Sequence, residues 1–143
     1  MDSKLLSKQS QHWENNFLNK PEMFGIDPSI AAIKSAKIFK SHRINKVLEL
    51  GAGQGRDTLY FAKQGFKIDS LDYSKKAIND ISEKSRTNRL ENLITPKVHD
   101  MRLPLPYKNE CFEACYSHML YCMAFSINEF LYSRVFPIML QLR

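Results

Sequence analysis

The chain is 143 residues long, 43% hydrophobic, 25% charged and 11% aromatic, with 5 Gly and 6 Pro. That composition excludes disordered, collagenous and low-complexity classes and fits one domain at most. Lys and Arg number 21 against 15 Asp and Glu, an excess of +6 that is spread thinly rather than gathered into the basic stripe of a nucleic-acid footprint.

No stretch approaches the ~18 uninterrupted apolar residues of a membrane span, and the opening MDSKLLSKQSQHW lacks the apolar centre of a secretory signal. A soluble, cytoplasmic protein is therefore expected, with neither a membrane nor a nucleic acid as partner. Cys111, Cys115 and Cys122 are spaced too loosely for a zinc or iron–sulfur site and read as free thiols in a reducing compartment.

Along the chain, Asp27-Pro28-Ser29 is expected to start a helix, with Asp27 as cap and Pro28 at the first helical position. Ile30, Ile33 and Ala36 follow at helical spacing. Val47-Leu48-Glu49-Leu50 reads as a strand and runs straight into Gly51-Ala52-Gly53-Gln54-Gly55. Arg56–Gln64 reads as a short helix stopped by Gly65, and Phe66–Asp72 alternates as a second strand. Ser74 caps a helix that carries Ala77, Ile78 and Ile81 on one side. Leu93–Val98 is a third strand, weakened by Pro96. Leu103-Pro104-Leu105-Pro106 is a turn, Cys111–Tyr116 a fourth strand, and Ser126-x-x-Glu129 opens a last helix through Phe136. Strands alternating with helices predict a parallel sheet and an α/β class.

The strongest chemical signal is the glycine loop between a strand and a helix. The dinucleotide fingerprint G-x-G-x-x-G fails, because Arg56 stands where its last glycine belongs. The spacing here is G-x-G-x-G, preceded by Glu49 inside the strand, and a carboxylate there suits a cationic amino group better than a phosphate. Asp72 ends the second strand 21 residues after Gly51, where a carboxylate accepts from both hydroxyls of a ribose. Asp100-Met101 follows the third strand, where an adenine would be sandwiched. The three together describe a pocket for an adenosine that carries an amino-acid tail and no phosphates.

Val47-Leu48-Glu49-Leu50-Gly51-Ala52-Gly53-Gln54-Gly55-Arg56-Asp57 resembles motif I of the class I S-adenosylmethionine-dependent methyltransferases. Leu71-Asp72-Tyr73-Ser74 resembles their acidic second-strand motif, His99-Asp100-Met101 their adenine-contact segment, and Phe112–Ser117 their fourth-strand motif. Upstream, Trp13–Phe17 and Pro21–Gly25 are similar to the N-terminal region of the small-molecule members grouped with thiopurine and tellurite-resistance methyltransferases.

The resemblance implies a Rossmann-like parallel sheet with strands one to four in the order 3-2-1-4. It also implies an S-adenosyl-L-methionine cofactor held by Glu49, Gly51, Ala52, Gly53, Gly55, Asp72, Tyr73, Asp100, Met101 and Ser117. A small-molecule methyl acceptor would lie against Trp13, Phe24, His118 and Tyr121, with Trp13 and Phe24 as an aromatic lid that suits a sulfonium cation. No residue is assigned a catalytic role, and no metal is expected. The family sheet has seven strands and this sequence supplies four, so strands five to seven are expected to be missing. The expected division is an N-terminal helical lid region over 1–45, a cofactor-binding α/β core over 46–125 and a divergent C-terminal helix over 126–143. Together they would form a single, incomplete methyltransferase domain. The alternative is a truncated, non-catalytic remnant that binds the cofactor weakly or not at all and self-associates through the exposed edge of the fourth strand.

Overall fold

The computed structural model describes residues 3–118; Tyr121, Cys122 and the helix expected from Ser126 lie outside them. Eight elements run in the order α1 (Ser3–Asn19), α2 (Ile30–Ser41), β1 (Lys46–Leu50), α3 (Arg56–Lys63), β2 (Lys67–Asp72), α4 (Lys75–Thr87), β3 (Ile94–Val98) and β4 (Ala114–Ser117). The strands form one parallel sheet in the order β3-β2-β1-β4, the Rossmann-like arrangement of class I methyltransferases.

Alternation along β1 sends successive side chains to opposite faces. Val47 joins a core with Ile68, Ala114 and Tyr116 of the sheet, Ala32, Ala36 and Phe39 of α2, Phe61 and Ala62 of α3, and Ile78 and Ile81 of α4. Leu48 and Leu50 face the other way, into a second core with Leu71, Met101 and Phe112, flanked by Leu105 and Tyr107. Three helices thus cover one face, while the segment between β3 and β4 covers the other.

Two local expectations change. The cap of α2 is Ser29, not Asp27: its backbone is extended and its hydroxyl accepts from the Ala32 amide at 3.1 Å. Pro28 therefore precedes the cap instead of opening the helix. The fourth strand begins at Ala114 rather than Cys111, because Phe112 is buried in the second core and the Glu113 carboxylate is used at the foot of β1. There Glu113 Oε1 accepts from the amides of Asn45 at 3.1 Å and Lys46 at 3.0 Å. Pro96 is accommodated because β3 borders the sheet and pairs with β2 alone among the described residues. No helix among the described residues is long and apolar enough to cross a membrane.

Candidate functional site

A cleft of about 1020 Å³, counting its open mouth, lies at the carboxyl ends of β1 and β2. One wall is the glycine loop. The amides of Gly51 and Ala52 both donate to the Leu71 carbonyl at 2.9 and 3.0 Å, which turns the chain sharply off β1 and across the end of β2. Gly55 sits at φ 86° as the first cap of α3, and a Cβ there would stand 2.6 Å from Ile81 Cγ1. Its role is thus close packing of the loop against α4, behind the cleft rather than in its lining.

Glu49 and Asp72 bring two buried carboxylates to this wall. Glu49 Oε2 accepts from the hydroxyls of Thr58 at 2.5 Å and Ser70 at 3.1 Å. Burial outweighs those two bonds and pushes the Glu49 carboxyl up to about 8. Asp72 Oδ2 accepts from the Gly53 amide and Oδ1 from the Ser74 amide, each at 2.9 Å, so the carboxylate pins the loop to the start of α4. Burial raises its pKa as well, in part offset by these backbone donors. Tyr73 lines the cleft and donates from its hydroxyl to the Gln9 carbonyl of α1 at 3.3 Å.

The opposite wall is aromatic. Trp13 and Phe17, one helical turn apart on α1, stack with ring centroids 5.6 Å apart, and Phe24 follows Trp13 at 6.3 Å. His118, just past β4, completes the lining. The structure therefore brings together Trp13, Phe24, Glu49, Gly51, Ala52, Gly53, Asp72, Tyr73 and His118 from the sequence-based set.

Asp100, Met101 and Ser117 stand apart from that lining. Asp100 Oδ1 and Oδ2 accept from Arg102 Nε at 2.8 and 2.9 Å, and these bonds hold its carboxyl below the usual range. Met101 is buried in the second core, and the Ser117 hydroxyl is buried without a hydrogen-bond partner among the described residues. Sequence reasoning missed Gln9, Phe17, Gly25, Gln54, Arg56, Asp57 and Lys84 as cleft residues. Gln54, Arg56 and Asp57 lie in the glycine motif itself and were findable there; Lys84, in the last turn of α4, carries no local signal.

The donor set fits S-adenosylmethionine better than a nucleotide phosphate. Three carboxylates, Glu49, Asp57 and Asp72, line the cleft. Among the described residues, the two cations there are already engaged, Arg56 with the Phe24 carbonyl at 2.9 Å and Lys84 with Glu22 at 2.8 Å. Among the described residues, no group of three or more His, Cys, Asp or Glu is arranged to hold a metal.

The model of the family described as "Tellurite resistance protein TehB" matches residues 11–126, most of the chain and all four motifs. The chain belongs to the TehB family of S-adenosylmethionine-dependent methyltransferases. This TehB-family chain is 34% identical over 89 residues to the "Probable S-adenosyl-L-methionine-dependent methyltransferase TehB" of Haemophilus influenzae, 62% of this chain and 28% of that protein. A candidate S-adenosyl-L-methionine-dependent methyltransferase of Methanococcus maripaludis superposes with a TM-score of 0.64 at 17% identity, over 90% of this chain and 58% of the other. Coclaurine N-methyltransferase, solved with N-methylheliamine and SAH, gives a TM-score of 0.57 at 22% identity, over 73% and 31%. The likeness to these structures is one of fold. The chain spans 28% of the length of the curated relative it matches, and 58% and 31% of these two structures.

Proposed function

We propose that this chain binds S-adenosyl-L-methionine in the cleft and serves methyl transfer to a small-molecule acceptor. The observation that carries this reading is the meeting of Glu49, Gly51–Gly53, Asp72 and Tyr73, from two separate segments, as one wall of one cleft. In this reading Asp72, whose oxygens keep lone pairs beyond their two backbone donors, accepts from the ribose hydroxyls. Glu49 receives both of its hydrogen bonds on Oε2, and its other oxygen faces the ammonium of the amino-acid tail. Trp13, Phe17 and Phe24 close the far side, where ring faces attract a cation. When bound, S-adenosylmethionine supplies a methyl group already activated on a sulfonium, so the protein contributes orientation and exclusion of water rather than acid–base chemistry. His118 borders the acceptor side, where an imidazole takes up a proton from a nucleophile that must lose one.

The test is thermal unfolding with and without S-adenosylhomocysteine, for the wild type and Asp72→Ala, each referred to its own ligand-free melt. At ~100 times the dissociation constant the ligand stabilises the native state by ~2.7 kcal/mol, a shift of several degrees. The wild type should show that shift and Asp72→Ala should lose most of it. A wild-type melt indifferent to the ligand overturns cofactor binding by this chain.

A further inference from the structure

The side chains of the glycine loop are spent on the segment that roofs the cleft. Gln54, between Gly53 and Gly55, is 6% exposed. Its Oε1 accepts from the Met23 amide at 2.9 Å and its Nε2 donates to the Lys20 carbonyl at 3.2 Å. Its own carbonyl accepts from Lys84 Nζ at 3.1 Å, the ammonium that also pairs with Glu22. Two residues on, Arg56 Nη1 donates to the Phe24 carbonyl. Asp57 then holds the Ser29 amide at 2.8 Å and the Ser29 hydroxyl at 2.7 Å. Gln54 of the loop and Arg56 and Asp57 in the first turn of α3 thus grip the stretch from Lys20 to Ser29 mostly by its backbone, and that stretch carries Phe24 into the aromatic wall.

We propose that Gln54 is a positioning residue that transmits the state of the glycine loop to the 20–25 strap and so sets the aromatic, acceptor-facing wall of the cleft. The inference rests on the cofactor reading above. A carboxamide is the side chain this junction requires, since it must donate to one backbone group and accept from another at once. Glutamate keeps the acceptor and loses the donor; methionine fills the space and keeps neither strong bond. The strap partners are backbone atoms, so the lock is written in the loop rather than in the strap. Because the loop adopts positive φ at Gly51, Gly53 and Gly55, its path is set by what fills it. Any shift of Gln54 is then carried to Lys20 and Met23.

Trp13 is the sole tryptophan of the sequence and touches Phe24 and Phe17, so its fluorescence reads the roof directly. S-adenosylhomocysteine is titrated into the wild type, Gln54→Met and Gln54→Glu, with binding followed by calorimetry and Trp13 exposure by acrylamide quenching. Hydrogen exchange of the wild-type peptide containing Met23 is measured alongside. In the wild type, binding should at least halve the quenching constant and slow exchange of the Met23 amide about tenfold. Gln54→Met should still bind, within about tenfold in affinity, with quenching no longer responsive, and Gln54→Glu should fall between. Wild-type binding without a change in Trp13 or Met23, or an unaltered Trp13 response in Gln54→Met, overturns the coupling alone. Should Gln54→Met not fold, the Gln54→Glu response and the wild-type exchange decide. Absence of calorimetric binding to the wild type removes the cofactor reading and this inference with it.

Discussion

Glu49 is a carboxyl whose burial outweighs the hydroxyls bonded to it, and its pKa of about 8 has two measurable consequences. The unfolded chain releases this proton near 4.5 and the native state near 8, so between those values the native state holds more protons. Stability therefore falls as pH rises through that window, by up to ~1.4 kcal/mol per pH unit, and flattens above it. Glu49→Gln keeps an acceptor for Thr58 and Ser70 and should flatten much of that slope in denaturant titrations at pH 5–8. Asp72, raised in the same direction, leaves a residual slope. An ammonium beside Glu49 favours the ionised form, so S-adenosylhomocysteine affinity should tighten from pH 6 to 8.5 in the wild type and lose that trend in Glu49→Gln. A wild-type affinity flat across that range would sink the pairing. The positions of Glu49 and Asp72 were legible because both lie at the carboxyl ends of adjacent strands, Glu49 one residue before the end of β1 and Asp72 at the end of β2, where the topology itself points side chains at the cleft. Asp100 and Met101 were not, because the turn after β3 is steered by Arg102 and by a core assembled from distant residues.

Among elements, the informative contacts are those no single segment encodes. Gly55 was read as part of a ligand loop, yet the space it leaves is claimed by Ile81 of α4, 26 residues later. Gly55→Ala must bear both the left-handed backbone and a 2.6 Å approach, costing roughly 2–5 kcal/mol. Adding Ile81→Ala should recover the packing part, so the double variant is less destabilised than the two single costs summed. Purely additive costs from denaturant curves would mean that contact is not the cause. A buried triangle joins α2, α3 and β4: the Tyr116 hydroxyl donates to Asp57 Oδ2 at 2.7 Å and lies 3.1 Å from Ser29 Oγ. Asp57 also sits in the first turn of α3, where the helix dipole favours its charge. Tyr116→Phe keeps the ring that packs edge-on to Phe61, 4.8 Å between centroids. It removes one donor from a buried carboxylate, at ~1.5–3 kcal/mol, and a loss below about 0.5 kcal/mol would show that Ser29 alone suffices. The helix and strand types were readable from periodicity, whereas these cross-links join residues 28 to 87 positions apart and leave no mark on any window.

At the scale of the whole molecule, the sheet separates two jobs. Alternation of strands with helices gave the α/β class from spacing alone, and the 3-2-1-4 order followed from the family resemblance. The covering of the second face was not legible. The Leu103–Pro106 stretch reads as a turn, yet the segment around it lays Leu105 and Tyr107 against the sheet. There the Tyr107 hydroxyl donates to Asp69 Oδ2 at 2.9 Å and Lys97 Nζ stands 4.5 Å from the Tyr107 ring centroid. Phe112 anchors this core at the end of the strands remote from the cleft, with Lys46 Nζ, at the start of β1, 4.8 Å from its ring centroid. Phe112→Ala should cost ~3–5 kcal/mol, as emptying a well-packed aromatic site does, and lower the melting temperature by roughly 10–20 °C. The cleft lies beyond the opposite ends of the same strands, so S-adenosylhomocysteine affinity, measured by calorimetry well below the variant's transition, should stay within about twofold of the wild type. A larger loss of affinity would mean that the glycine loop takes its shape from the second core through Leu50 and Leu71, and that the sheet couples its two faces instead of insulating them.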